Sequence, residues 1–204
     1  MILPAKVIIF DFGNVLLTWE PRKVFARSFP AGPQAVDAFM NEIGFVEWHV
    51  EQDRGRSFAE AIAEHSAKFP QYAHIFPDYD TCYEEAVGGP ISGTLEILRR
   101  LKQAGYPLYG LSNYPTEKFA LARRKYEFMS WFDDIVISGA VGLVKPDPAI
   151  FRLLLAKIGR AAEECIFIDD SSANIVAAQE LGFIAIQFHS PEQLERELRA
   201  LGIL

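Results

Sequence analysis

Apolar positions in this chain fall into two periods. Short, nearly continuous runs occur at Val7–Phe10, Leu108–Leu111, Ile135–Ile137, Cys165–Ile168 and Ile184–Phe188. Each has the length of a strand and little polar alternation, the pattern of strands covered on both faces in a parallel sheet. Segments of helical period lie between the later runs. Thr94–Gln103 places Leu95, Leu98 and Leu101 at three-residue spacing and meets Gly105 as a stop signal. Pro148–Ile158 carries Ile150, Phe151, Leu154, Leu155 and Ile158, with Asp147 as N-cap, Pro148 at the first helical position and Gly159 beyond the end. Asn174–Leu181 ends at Gly182. This alternation predicts an α/β fold, a doubly wound parallel sheet between two layers of helices.

The stretch from Pro21 to Gly88 breaks the alternation. Val24–Phe29, Gln34–Ile43, Phe58–Phe69 and, more weakly, Tyr79–Ala86 read as amphipathic helices, and no strand stands out. A crossover between parallel strands needs only about a dozen residues, so this segment reads as an inserted helical cap. The expected division is a core of residues 1–18 and 89–204 with a cap of residues 19–88. Gly88-Gly89-Pro90 reads as a cap-to-core hinge, since no phosphate-loop pattern follows it.

Composition narrows the function classes. At 204 residues, 50% hydrophobic and 23% charged, the chain is ordinary for a globular protein. A net charge of −7 argues against a non-specific nucleic-acid binder. It leaves room for an anionic ligand held by a local lysine, a metal or a helix N-terminus. The two cysteines, Cys82 and Cys165, form no metal or disulfide pattern, so neither zinc nor a disulfide framework is expected and a reducing, cytoplasmic setting is. No run is long enough for a membrane span or a signal peptide.

Ligands of open α/β sheets bind beyond the carboxyl ends of the strands, so the residue after each run matters most. Asp11 follows the first run, Ser112 and Asn113 the second, Lys145 the third across a short loop, and Asp169 and Asp170 the fourth. A carboxylate can accept a phosphoryl group as a nucleophile. Paired carboxylates supply the hard oxygens Mg²⁺ prefers. Ser112 can hold phosphoryl oxygens, and Lys145 offsets the crowded negative charge.

These four motifs, in this order and spacing, resemble the haloacid dehalogenase superfamily, in its phosphatase-type branch with a helical cap after the first motif. The resemblance implies a Rossmann-like core and Mg²⁺ bound by Asp11, the Gly13 carbonyl, Asp169 and Asp170. It also implies an aspartyl-phosphate on Asp11, with Ser112, Asn113 and Lys145 at the phosphoryl group and a cap that selects the substrate. Asn174 fits the pattern as a supporting residue. The expected partner is a small phosphorylated metabolite such as a sugar phosphate, with neither nucleic acid nor membrane, on a monomer or homodimer. One departure stands out. Phosphatases of this kind usually carry a second Asp, the general acid and base, where this chain has Gly13. A low rate, or a substrate with a good leaving group, is therefore expected. Two rival readings are a 2-haloacid dehalogenase, which needs no acidic metal pair, and a binding protein that has lost turnover. In the cap, Trp48, His49, Asp53, Arg54 and Gly55 cluster. Asp-Arg-Gly reads first as a turn, with a substrate-facing loop as the alternative and Arg54 as the side chain to test.

Overall fold

The computed structural model describes residues 6–204. The first five residues of the expected core segment lie outside the described residues. The strands are β1 (Val7–Phe10), β2 (Leu17–Trp19), β3 (Val87–Pro90), β4 (Leu108–Ser112), β5 (Asp134–Ile137), β6 (Cys165–Asp169) and β7 (Ile184–Gln187). A five-stranded sheet has the order β5-β4-β1-β6-β7, and its neighbouring strands are all parallel. The order reverses at β1, with β4 on one side and β6 on the other.

The apolar runs are continuous because both faces of the sheet are covered. On β1, Ile8 and Phe10 join a cluster with Ile97, Leu98, Leu101, Leu194 and Leu198 from helices Ser92–Gln103 and Pro191–Ala200. Val7 and Ile9 face the other way, toward Ile150, Phe151, Leu154 and Ile175 from helices Pro148–Ile158 and Ser172–Glu180. Successive strand residues point to opposite faces, so one strand serves both layers. Helix ends follow local chemistry. The Asp147 carboxylate accepts from the Ala149 N–H at 2.8 Å, a cap worth about 1 kcal/mol, and Gly159 closes that helix in the left-handed conformation.

Residues between β2 and β3 are helical, with three differences from the sequence reading. Val24–Phe29 divides into a short helix, Arg22–Phe25, and a tighter turn, Ala26–Ser28. Tyr79–Ala86 divides into Asp78–Thr81 and Tyr83–Ala86. A helix at Phe45–Asp53 was not expected. The Gly88–Pro90 segment, read as a hinge, belongs to β3, which pairs antiparallel with β2. The chain thus enters and leaves the helical segment through a two-stranded ribbon. Among the described residues no helix is long and apolar enough to cross a membrane.

Candidate active site

Asp11 lies one residue past β1, Ser112 and Asp169 end β4 and β6, and Lys145 sits in the loop that leads to helix Pro148–Ile158. The sheet order makes β1, β4 and β6 neighbours, which is why residues 100 or more positions apart in sequence converge. Oxygens of Asp11, Asp169 and Asp170 all lie within 4.8 Å of one another. Lys145, almost fully buried, places Nζ 2.9 Å from Asp11 Oδ1 and 2.6 Å from Asp169 Oδ2. Burial disfavours its charge, but attraction to Asp11 and Asp169 overcomes this and holds the ammonium above its ordinary pKa.

The two adjacent aspartates have different surroundings. Asp169 is fully buried and its oxygens are saturated. Oδ1 accepts from the Ser171 N–H and Asn174, and Oδ2 accepts from Lys145 and Asn174. Asp170 lines the cavity above the sheet, with the Asn14 amide 3.3 Å away as the side-chain donor to its Oδ2. Burial first, then the Asp169 charge, raises the Asp170 pKa. Burial is also the main reason Asp11 is pushed up to about 6. Lys145 pulls against this, the Asp169 charge adds to it, and the nearby Ser112 hydroxyl favours the carboxylate. No donor is aligned for a hydrogen bond on Asp11 Oδ1, although the lysine charge is close. Three carboxylates face one ammonium here. That excess of hard oxygen donors fits a divalent cation such as Mg²⁺.

Supporting residues fix these positions. The Asn113 amide donates to the Lys145 carbonyl at 3.0 Å, and its oxygen accepts from the Lys145 N–H at 2.8 Å. Ser138 Oγ accepts from the Tyr114 N–H at 2.9 Å and holds the loop after β4. Gly13 and Asn14 form the turn after Asp11. Asn14 adopts φ +52°, a left-handed geometry asparagine tolerates, and its side chain also accepts from the Trp19 N–H. Sequence reasoning missed Asn14, although an Asn following Gly in a strand-end loop is a turn signal.

Above these groups is a cavity of about 240 Å³ lined by Asp11, Gly13, Asn113 and Asp170 from the sheet side, by Trp19 of β2, and by His49, Asp53 and Tyr83 among others from the helical segment. The cluster noticed in the sequence divides here. Trp48 is buried away from the cavity, stacked on His65 and tilted against Tyr79. His49 and Asp53, four residues apart on one helix face, reach the cavity. The Asp-Arg-Gly segment is a helix end and turn, but Asp53 faces inward. Arg54 is exposed, paired with Glu51 at 2.8 Å, and absent from the lining. The alternative reading, in which Arg54 faces substrate, is therefore set aside. Arg54→Ala should change stability by no more than about 0.5 kcal/mol and leave relative kcat/KM among substrates unchanged. A substrate-dependent change in kcat/KM beyond about threefold, which is roughly 0.7 kcal/mol, would return Arg54 to the site.

A parallel sheet with this acidic and lysine-bearing edge defines a class of hydrolase, and comparison with known proteins agrees. The family model described as haloacid dehalogenase-like hydrolase matches residues 5–182, and the chain belongs to that family. It is 26% identical over 203 residues to drimenol cyclase drtB of Aspergillus calidoustus, covering 95% of this chain and 36% of that protein, so it spans about a third of that relative. It is 28% identical over 196 residues to sesquiterpene phosphatase astK of Aspergillus oryzae, covering 96% of each. Among solved structures, the family enzyme bt-2542 of Bacteroides thetaiotaomicron aligns with a TM-score of 0.76 at 22% identity over 95% of this chain and 98% of that one. That enzyme has also been solved in complex with magnesium and inorganic phosphate, with a TM-score of 0.71 at 22% identity over 91% and 94% of the two chains.

Proposed function

We propose that this hydrolase is a Mg²⁺-dependent phosphatase of small phosphomonoesters, with Asp11 as the covalent nucleophile. The observation that carries this reading is the convergence of Asp11 and Asp170 at the floor of one cavity, with the buried Lys145 ammonium behind them 2.9 Å from Asp11. The phosphatase relative matched along nearly its whole length, and the neighbour solved with magnesium and phosphate, support it.

In this reading Asp11, Asp170 and the Gly13 carbonyl hold the ion. Asp169 stands behind them, because its oxygens already serve Lys145, Asn174 and the Ser171 N–H. Bound there, Mg²⁺ supplies charge stabilisation to the phosphoryl oxygens. Asp11 attacks phosphorus and forms an aspartyl-phosphate, which water then hydrolyses. Lys145 keeps Asp11 ionised against its burial and balances charge on the transferring group. Ser112 faces the phosphoryl oxygens, and Asn113 acts by fixing the Lys145 backbone. Residues 19–88 act as the cap and supply the wall that meets the organic part of the substrate. That wall offers Trp19, Tyr83 and Val87, and among the described residues the cavity lining contains neither Lys nor Arg. This favours an uncharged organic group, an isoprenoid or a sugar, over one bearing a second anion.

Phosphate release from p-nitrophenyl phosphate, isoprenyl phosphates and sugar phosphates tests the reading. EDTA should abolish turnover and Mg²⁺ restore it. Full hydrolytic activity in chelator would overturn the metal-dependent mechanism, and halide release from a 2-haloacid under those conditions would establish dehalogenation in its place.

A further inference from the structure

The family resemblance implies a proton-transferring aspartate at the position that Gly13 occupies here, and glycine carries no proton to transfer, so the proton for the departing oxygen must come from elsewhere. We propose that the Asp53 carboxyl, presented into the cavity from the end of helix Phe45–Asp53, is the general acid and base of the reaction. This rests on the phosphatase reading above and adds a catalytic residue to it.

The placement is built into the fold. Helix Phe45–Asp53 ends in a turn at Gly55, whose φ is +106°, and a Cβ there would lie 2.8 Å from the Gly139 carbonyl oxygen. Gly139 itself leaves no room for a side chain, since a Cβ would meet the Thr116 N–H and the Tyr114 carbonyl at 2.8 and 2.9 Å. Two glycines thus let the helix end dock directly on the loops that carry Tyr114 and Ser138. A second tether, from buried Lys118 to Asp80, holds helix Thr116–Lys125 against the segment Asp78–Thr81. Asp53 is held over the sheet edge as a consequence, and it lines the same cavity as Asp11, Gly13 and Asp170.

Its surroundings suit a carboxyl that carries a proton. Asp53 is only 5% exposed, and its Oδ1 is buried without a hydrogen-bond partner. An unpartnered buried polar atom is costly, and here it belongs to a group that lines the cavity over Asp11. The nearby cations are committed elsewhere: Lys145 to Asp11 and Asp169, and Arg56 to Glu64 and the Trp48 carbonyl. On its own helix, His49 lies 3.7 Å away, and burial lowers its pKa to about 4, so it stays neutral. Tyr79, Tyr83 and Tyr114 are neutral too, each pushed up chiefly by burial. Burial first, and then the Asp11 charge, raises Asp53 to about 7, against a smaller pull from Lys145. A general acid works best with a pKa near the operating pH.

The steps balance. As an Asp11 oxygen bonds to phosphorus, the bond from phosphorus to the ester oxygen breaks and its electron pair stays on that oxygen. The Asp53 proton passes to it, giving the neutral alcohol and an Asp53 carboxylate. In the second half, water attacks the aspartyl-phosphate, its proton returns to Asp53, and the bond between phosphorus and the Asp11 oxygen breaks to release phosphate.

The experiment compares an alkyl phosphate with p-nitrophenyl phosphate, whose leaving group departs as a stable anion, in saturating Mg²⁺. Asp53→Asn should lower kcat on the alkyl ester by about 10²–10³-fold, and the loss on p-nitrophenyl phosphate should be at least about tenfold smaller. In the unmodified protein, kcat/KM for the alkyl ester should fall as pH rises through about 7. That limb should be missing for p-nitrophenyl phosphate. A Cβ at Gly13 would meet nothing within 4 Å, and Gly13 is not among the glycines of positive φ. Adding Gly13→Asp to Asp53→Asn should then recover at least about tenfold on the alkyl ester. Equal losses on both esters, or no loss on either, would overturn the assignment. Absence of the alkaline limb for alkyl esters would do so without any variant. Failure of the unmodified protein to hydrolyse any phosphomonoester would instead sink the phosphatase reading, a result distinct from these.

Discussion

Lys145→Ala should lower kcat by about 10²-fold or more at saturating Mg²⁺, the scale of losing one preorganised electrostatic contact in a dry site. The side chain is 1% exposed and contacts Asp11 at 2.9 Å and Asp169 at 2.6 Å. Without it, Asp11 loses the charge that favours its ionised form, and fewer molecules carry a competent nucleophile at neutral pH. The same change should reduce stability in metal-free buffer by up to about 3–5 kcal/mol, because it leaves buried carboxylates without their partner. Mg²⁺ should return part of that loss, since a ligand that binds only the folded state stabilises it. Lys145→Met, which keeps much of the bulk, separates charge from packing and should show the same kcat loss. Phosphatase kinetics and thermal melts with EDTA and with Mg²⁺ check both effects. Near-normal turnover in either variant would reduce Lys145 to a structural loop residue.

The sheet and its chemical edge were legible in the sequence for a common physical reason. A strand buried on both faces must be apolar throughout, so β1, β4 and β6 appear as unbroken runs, and the first polar residue after each marks where the chain reaches the ligand edge. Asp11, Ser112 and Asp169 are found that way. Where pattern and burial diverge, the reading failed. Helix Phe45–Asp53 buries Gln52 and Asp53 along with Phe45 and Trp48, so its polar residues do not mark a solvent face and its period is obscured. The ribbon of β2 and β3 is too short to show alternation, and the glycines of β3 read as a hinge. Within Asp-Arg-Gly, nothing in the sequence marks Asp53 rather than Arg54 as the side chain that meets the cavity. Which of the two turns inward follows from the phase of the helix and its docking through Gly55 on Gly139, a contact between segments far apart in sequence. The different surroundings of Asp169 and Asp170 were equally hidden, since adjacent aspartates after a strand look alike until the partners of each oxygen are known.

Asp11→Asn should abolish steady-state phosphatase activity, by about 10⁴-fold or more, in the range seen when a covalent nucleophile is removed. It should also make the metal-free protein more stable. Burial raises Asp11 to about 6 in the folded state despite the pull of Lys145, so the ionised carboxylate costs folding free energy at neutral pH. For an acid with a raised folded pKa, stability falls as pH rises from the unfolded value near 4 through the folded value near 6. Asparagine does not titrate, so the variant lacks that slope. Its advantage should be absent near pH 4 and reach about 1–3 kcal/mol by pH 7, while Lys145 keeps its Asp169 partner at 2.6 Å. For a chain of this size that corresponds to several degrees in Tm. Melts in EDTA across pH 4–8 measure the stability difference. Brief mixing of the unmodified protein with substrate, acid quenching and peptide mass analysis should place one phosphoryl group on the peptide containing Asp11 and none on the variant. Destabilisation at pH 7 in EDTA would show that Asp11 contributes more through its pairing with Lys145 than it costs by its burial. A variant with unchanged turnover would remove Asp11 from the chemistry altogether.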